Sequence, residues 1–354
     1  MAKATGKASV VIFSPHIHSF NSIEKVMWDV VIALIPAGIA SVYFFGTNAL
    51  RIIIISVLTA VITELFMNLL TKSRITIMDG SAVITGLLFA YNLPPAVPWY
   101  LVVAGSSFAI AIVKWAFGGL GYNFMNPAIG GRIFVLAAWT TFMVGNWSPT
   151  IRGFLNSGLD FGNASLKIVS PDVISTASPL NSLKAGGWNM VHSFNFDNYW
   201  NLFIGNIPGC IGETSKLALL VGFVYLLIKK VVTPIIPLIY IATVALLAWI
   251  FGGLPLGSGI FTGNPLYHIL SGGLILGACF MATDYVTSPI GLKGKIVFAV
   301  SLGVLTMIIR LWGGYPEGVS YAIAFMNIFV PLIDRYVKER IYGHGNKKLQ
   351  KMAG

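Results

Sequence analysis

The stretch Gly80-Ser81-Ala82-Val83-Ile84-Thr85-Gly86-Leu87-Leu88-Phe89-Ala90-Tyr91-Asn92-Leu93-Pro94-Pro95 decides how this chain is built. Its apolar run is shorter than the roughly 20 residues an α-helix needs to cross a bilayer core, and it ends in two prolines. Proline has no amide donor and pushes the residue before it out of helical geometry. A second short run, residues 267–282, ends in Thr283-Asp284-Tyr285-Val286-Thr287-Ser288-Pro289. Non-helical backbone at membrane depth is tolerated only where it is buried in protein or lines a cavity. Two such breaks therefore predict a folded membrane protein with an internal site.

The rest of the sequence agrees. Of 354 residues, 56% are hydrophobic and 10% charged, against about 25% charged in soluble domains. Too few charges remain to cover a water-facing surface, so the expected solvent is lipid. The apolar runs predict ten spans, at 26–45, 50–70, 80–93, 98–117, 128–144, 213–228, 233–251, 267–282, 295–311 and 319–336. Residues 1–25 are polar and lack the order of segments that marks a secretory signal. The formal net charge of +11 is a topology signal. With the N-terminus inside, most of the 23 Lys and Arg fall on the inner side, among them Lys72, Arg74, Lys114, Arg132, Lys229, Lys230, Lys293 and Lys295. The outer connections 93–98 and 252–268 carry none. By the positive-inside rule both termini are cytoplasmic, and this placement argues against nucleic acid as a partner.

The spans form two blocks of five, 26–144 and 213–336, separated by a polar segment, 145–212, expected outside the cytoplasm; a basic cytoplasmic tail, 337–354, follows. The blocks echo each other. Ile84-Thr85-Gly86-Leu87-Leu88-Phe89 resembles Leu270-Ser271-Gly272-Gly273-Leu274-Ile275, and Phe117-Gly118-Gly119 before Arg132-Ile133-Phe134 resembles Trp312-Gly313-Gly314 before Asn327-Ile328-Phe329. Five spans per block inverts the second against the first. Inverted repeats with broken helices place sites where the breaks meet. The expected fold class is thus an all-α polytopic membrane protein of two inverted five-helix repeats.

Several residues are candidates for chemistry. Asp172-Val173-Ile174-Ser175-Thr176-Ala177-Ser178-Pro179 is a hydroxyl-rich tract in which Pro179 predicts an extended, accessible Ser178. Asp29, Glu64 and Glu213 lie in or beside spans, where charge is costly and often functional. Glu64, flanked by apolar residues, is the candidate for an ion path; Glu213 is expected to open a helix, and Asp29 to sit at the cytoplasmic interface. Cys210 and Cys279 read as small buried hydrophobes. His16, His18, His192, His268 and His344 show no ligand spacing, and no metal site is expected.

The 172–178 tract is similar to the flavinylation signal Asp-x-x-Ser/Thr-Gly-Ala-Thr/Ser, matching at Asp172, Ser175, Ala177 and Ser178, with Thr176 in place of glycine. The third span with Leu93-Pro94-Pro95, the loop Phe117 to Ala128, Gly209-Cys210-Ile211-Gly212-Glu213-Thr214-Ser215, and Phe280-Met281-Ala282-Thr283-Asp284 resemble, in order and spacing, the family of the RnfD subunit of Rnf complexes. The NqrB subunit of the sodium-pumping NADH:quinone oxidoreductase is a relative of RnfD. The likeness covers about residues 14–337. It implies a subunit of a complex that moves electrons between ferredoxin and NAD+ with Na+ or H+ transport across the cytoplasmic membrane. It further implies FMN bound covalently through phosphate at Ser178, with Thr176 as the competing acceptor. A second, non-covalent flavin such as riboflavin is expected within the membrane, with Asn123, Asn126, Thr283 and Asp284 as candidate contacts; glycines nearby would let a planar ring approach the backbone. The implied partners are the lipid bilayer, the other Rnf subunits (RnfA, RnfB, RnfC, RnfE and RnfG) and an FMN transferase. The competing reading is a transporter or channel of the same fold without redox work.

Overall fold

The computed structural model describes residues 22–73, 76–144, 178–186, 196–256, 259–315 and 317–337. Each of the ten predicted spans holds helix, and no strand occurs among the described residues. In chain order the helices are α1 (Ile23–Phe45), α2 (Thr47–Leu70), α3 (Ser81–Tyr91), α4 (Trp99–Phe108), α5 (Pro127–Ala138), α6 (Thr140–Val144), α7 (Pro179–Gly186), α8 (Phe196–Ile204), α9 (Lys216–Ile228), α10 (Ile235–Phe251), α11 (Pro265–Leu270), α12 (Leu274–Leu276), α13 (Leu292–Trp312) and α14 (Val319–Tyr336). Helix α4 continues as a π-helical segment, Ala109–Trp115, and α12 as another, Gly277–Met281.

Local sequence sets the ends. Ser22 caps α1 by accepting from the Lys25 amide at 3.2 Å. Pro127 opens α5 behind Asn126, whose side chain accepts from the Ala128 amide at 3.0 Å; proline suits a first turn because its missing amide would be unpaired there. Helices α1, α2 and α13 are long and apolar enough to cross a membrane. Their outward faces carry exposed large apolar residues, such as Ile32, Ile35 and Ile39 on α1 and Ile54, Leu58 and Ile62 on α2. A belt of this kind on water would be a large exposed apolar patch; it fits lipid or neighbouring helices.

The break after α3 is closed by another part of the chain. The amides of Ile211 and Gly212 donate to Leu93 O and Tyr91 O at 2.9 and 3.0 Å. Carbonyls freed at the helix end are thereby paired away from lipid. Gly212 permits this approach, since a Cβ there would overlap the Tyr91 ring.

Four expectations are corrected. The eighth span is not one helix: it is divided at Ser271-Gly272-Gly273, where Gly272 takes φ +67. Arg310 compensates by donating to His268 O at 2.5 Å and Ser271 O at 3.2 Å. The fifth span is likewise interrupted, at Trp139. Glu213 does not open a helix; it lies in the turn before α9, whose cap is Ser215. The segment 145–212 is not only loop: α7 and α8 pack Leu180, Leu183 and Leu202 against Tyr267 and Leu270 of α11.

Candidate functional site

Two polar sites lie inside the helical bundle. The first is a cleft of about 100 Å³. Its wall combines the start of α1 (Val26, Met27, Val30), the start of α3 (Ser81, Ile84, Thr85), Lys114 at the end of the first π segment, and the loop Leu120 to Pro127. The second block supplies Leu226, Val231, Cys279, Phe280 and the break Thr283 to Val286. The sequence-derived candidates Asn123, Asn126, Thr283 and Asp284 all line it. Both π segments border it, and π turns concentrate at functional sites.

These polar groups are held by local bonds. Asn123 donates to Met125 O at 3.0 Å, Thr283 to Cys279 O at 2.8 Å, and Asp284 accepts from Thr287 Oγ1 at 3.2 Å. The two loops are also joined. With its amide oriented to satisfy both of its polar atoms, Asn327 of α14 donates to Ile323 O and Thr287 O and accepts from the Asn126 amide, each at 3.1 Å. Gly118, Gly119 and Gly121 adopt φ of +119, +92 and +93, which gives this loop turns that residues with a Cβ rarely make. An apolar wall with a few polar groups is what small-molecule sites present.

Glu64 and Lys114 adjoin this cleft as a buried ion pair. Lys114 Nζ lies 2.7 Å from Glu64 Oε2 and 2.9 Å from Oε1, and Thr76 Oγ1 donates to Oε1 at 2.9 Å. The span count puts Lys114 on the inner surface; its ammonium instead turns into the bundle, because Glu64 is its counter-charge. Asp29 is 8% exposed, accepts from Tyr225 Oη at 2.7 Å and has Lys229 Nζ 3.9 Å from its Oδ1.

The second site gathers Arg132, Cys210, Glu213, Lys216, Arg310 and Glu317. Arg132 donates to Asn92 Oδ1 at 2.7 Å and Ser320 Oγ at 2.9 Å, and pairs with Glu317. An inner residue by the span count, Arg132 reaches the connection ahead of α14, which the same count puts outside. Lys216 Nζ donates to Glu213 O at 2.6 Å. Cys210, Glu213 and Glu317 bring ligand atoms within 4.8 Å of one another, but the Arg132 guanidinium already occupies the Glu317 carboxylate, so this trio reads as an ion-pair cluster. Gly273 lets the cluster close, since a Cβ there would overlap Glu213 Oε2, while a Cβ on Gly272 would come within 2.8 Å of Leu180 Cδ1.

Ser178 belongs to this second site. It shares a small cleft with Glu213, Lys216, Gly272 and Glu317. It is 3% exposed, which corrects the expectation of an accessible side chain. The cause is α7: Pro179 begins that helix and Leu180 and Leu183 pull it onto the bundle. Tyr267 Oη donates to Pro179 O. Lys184 Nζ donates to Gly313 O and Tyr315 O at 2.6 and 2.9 Å, and desolvation pulls its ammonium below the usual lysine value. Asp172, Ser175, Thr176 and Ala177 lie outside the described residues, as do His16, His18, His192 and His344. His268 is buried in α11.

An all-helical, lipid-suited bundle with a polar cleft shared by two halves defines a class of membrane protein, and the sequence places it within that class. Residues 10–343 match the model of the NQR2, RnfD, RnfE family, and the chain belongs to that family. The D subunit of the Na+-translocating ferredoxin:NAD+ oxidoreductase complex of Acetobacterium woodii is 45% identical over 332 residues, covering 93% of this chain and 94% of that protein. The corresponding subunit of the proton-translocating ferredoxin:NAD+ oxidoreductase complex of Clostridium ljungdahlii is 42% identical, covering 97% of this chain and 99% of its own length. That of the ion-translocating oxidoreductase complex of Salmonella newport is 37% identical, with 94% and 97% covered.

Proposed function

We propose that this chain is the D-type membrane subunit of an ion-translocating ferredoxin:NAD+ oxidoreductase complex, working beside the other Rnf subunits in a bacterial membrane. The observation that carries this is near-full-length similarity to subunits so named in three organisms. Electron transfer coupled to ion movement is the activity of the assembled complex. In this reading the chain crosses the cytoplasmic membrane ten times, in two inverted halves with both termini inside. Four counted cations, Lys114, Arg132, Lys216 and Arg310, are buried and cast no vote on sidedness; the surface lysines and arginines still alternate.

FMN esterified to Ser178 is the second part of the proposal, and the ion-pair cluster fits it. Arg132, Lys216 and Arg310 face Glu213 and Glu317, a formal excess of one positive charge among the described residues. A phosphodiester carries one negative charge, as each phosphate of a nucleic acid does. Buried charge without a counter-charge is costly, so an anion at Ser178 would relieve the imbalance. The burial of Ser178 implies that an FMN transferase reaches it while α7 is off the bundle. The flavin supplies electron storage; the chain supplies the tether and the compensating charge.

The third part assigns the larger cleft to a non-covalent flavin such as riboflavin. Apolar side chains there would hold the ring plane, while Asn123, Asn126, Thr283 and Asp284 would meet its polar edge. Glu64 stays a candidate for coupling electron flow to ion movement, through its bond to a cleft-lining lysine.

The deciding experiment is a denaturing gel of the complex produced with its transferase and partner subunits. Flavin fluorescence should persist in the band of this chain. It should vanish with Ser178→Ala and survive Thr176→Ala. A dark wild-type band would sink the covalent assignment, and fluorescence lost only with Thr176→Ala would move the acceptor.

A further inference from the structure

Lys114 stands where the cleft meets a line of hydrogen bonds to the bundle edge. It is 2% exposed and lines the cleft. Besides the pair with Glu64, its Nζ donates to Ser81 Oγ at 2.6 Å, and the Ser81 hydroxyl donates to Asp79 Oδ1 at 2.6 Å. Asp79 ends the turn Ile77–Asp79 at the rim of the bundle, next to Met78, which is 79% exposed. An unbroken run of ammonium, hydroxyl and carboxylate thus joins the cleft to the rim.

We propose that Asp79, Ser81 and Lys114 form a proton relay that serves the group reduced in the cleft. The proposal rests on reading that cleft as a flavin site. Neutralising Lys114 requires only Glu64. The arm through Ser81 to Asp79 adds a direction, outward, that an ion pair does not need. Each member suits transfer: a hydroxyl both donates and accepts, an ammonium donates, and a carboxylate accepts or, when protonated, donates. Bonds to charged partners are the short, strong kind. Holding a lysine and a glutamate in the bundle is costly compared with apolar side chains of similar size, so the pair marks a function. Asp284, from the break across the cleft, shares the cleft wall with Lys114, as do Cys279 and Tyr285.

The step balances. A flavin bound there would take its electron from the complex's own electron transfer. With a flavin bound, the N–H bond of Lys114 would break as the proton passes to the cofactor, leaving a neutral amine beside Glu64. The Ser81 hydroxyl proton moves to Lys114 Nζ. Asp79, protonated from water, returns one to Ser81 Oγ. The sum is one electron and one proton to the ring, one proton from water, and three residues restored.

The test uses the assembled complex in detergent, with proton uptake followed by an indicator dye and flavin reduction by absorbance in the same stopped-flow shot. Ser81→Ala should slow proton uptake at least tenfold, and Ser81→Thr should restore it. Asp79→Asn, whose site lies off the cleft wall, should slow it likewise, which keeps the test open if Ser81→Ala disturbs binding. Wild-type uptake rates in both Ser81→Ala and Asp79→Asn overturn the relay. A separate measurement judges the cleft. Ile84→Trp fills it and should release about one equivalent less of non-covalent flavin on denaturation. Equal release from wild type and Ile84→Trp would overturn the flavin reading itself; loss in Ile84→Trp with undiminished proton uptake in both Ser81→Ala and Asp79→Asn would overturn the relay alone.

Discussion

Arg132 binds together parts of the chain that the sequence holds far apart. Its guanidinium takes Asn92 at the end of α3, Ser320 at the start of α14 and Glu317 just before it. Removing one partner of a buried pair costs about 3–5 kcal/mol, because the other charge stays buried alone. Arg132→Leu should therefore lower the thermal stability of the purified complex by that order. Arg132→Lys should recover only part of it, since an ammonium lacks the planar fork that serves several acceptors at once. An unchanged melting temperature in Arg132→Leu would mean the cluster is relaxed by water. At this scale the sequence is partly legible. Asn123, Asn126, Thr283 and Asp284 stand out because each is polar beside a helix break. Lys114 and Glu317 do not: their partners are 50 and 185 residues away, and no local pattern announces a pairing at such separation.

Helix ends and glycines govern the next scale. In α9, Gly222 faces α1 so closely that a Cβ would run into Ala33 O. Small residues allow such backbone approach between membrane helices. The same two helices carry Val26, Val30 and Leu226 to the cleft wall. Gly222→Ala should push them apart, costing about 1–3 kcal/mol as overpacking does, and should weaken retention of the cleft's ligand during purification. Normal ligand content would show that α1 and α9 are not fixed by this contact. The breaks after α3 and after the second π segment are readable, because proline and clustered small polar residues interrupt apolar runs. The break at Gly272 is not. Its glycines resemble Gly86 in sequence, yet Gly86 lies within α3 while Gly272 turns to positive φ. What differs is tertiary: Arg310 is at hand to receive the carbonyls that the break exposes.

For the whole molecule, the apolar runs locate the helices, while span continuity and the position of α7 depend on packing. The proposed layout is open to labelling. Native Cys210 and Cys279 are buried, so cysteines placed at exposed positions report alone. A membrane-impermeant maleimide applied to intact cells should modify Thr262→Cys, in the 252–268 connection, and spare Lys230→Cys until the membrane is opened. The reverse pattern would invert the molecule and put Ser178 on the cytoplasmic side. The ion-pair cluster and the cleft each draw on both halves, Arg132 with Glu317 in one and Lys114 with Thr283 in the other. That sharing has a consequence for biosynthesis. While the ribosome is still making α10, one wall of the cleft does not yet exist. Whatever pigment it holds must be captured after nearly all of the chain has entered the bilayer, so truncated products should lack it and cells starved of the pigment should accumulate a complete chain awaiting it.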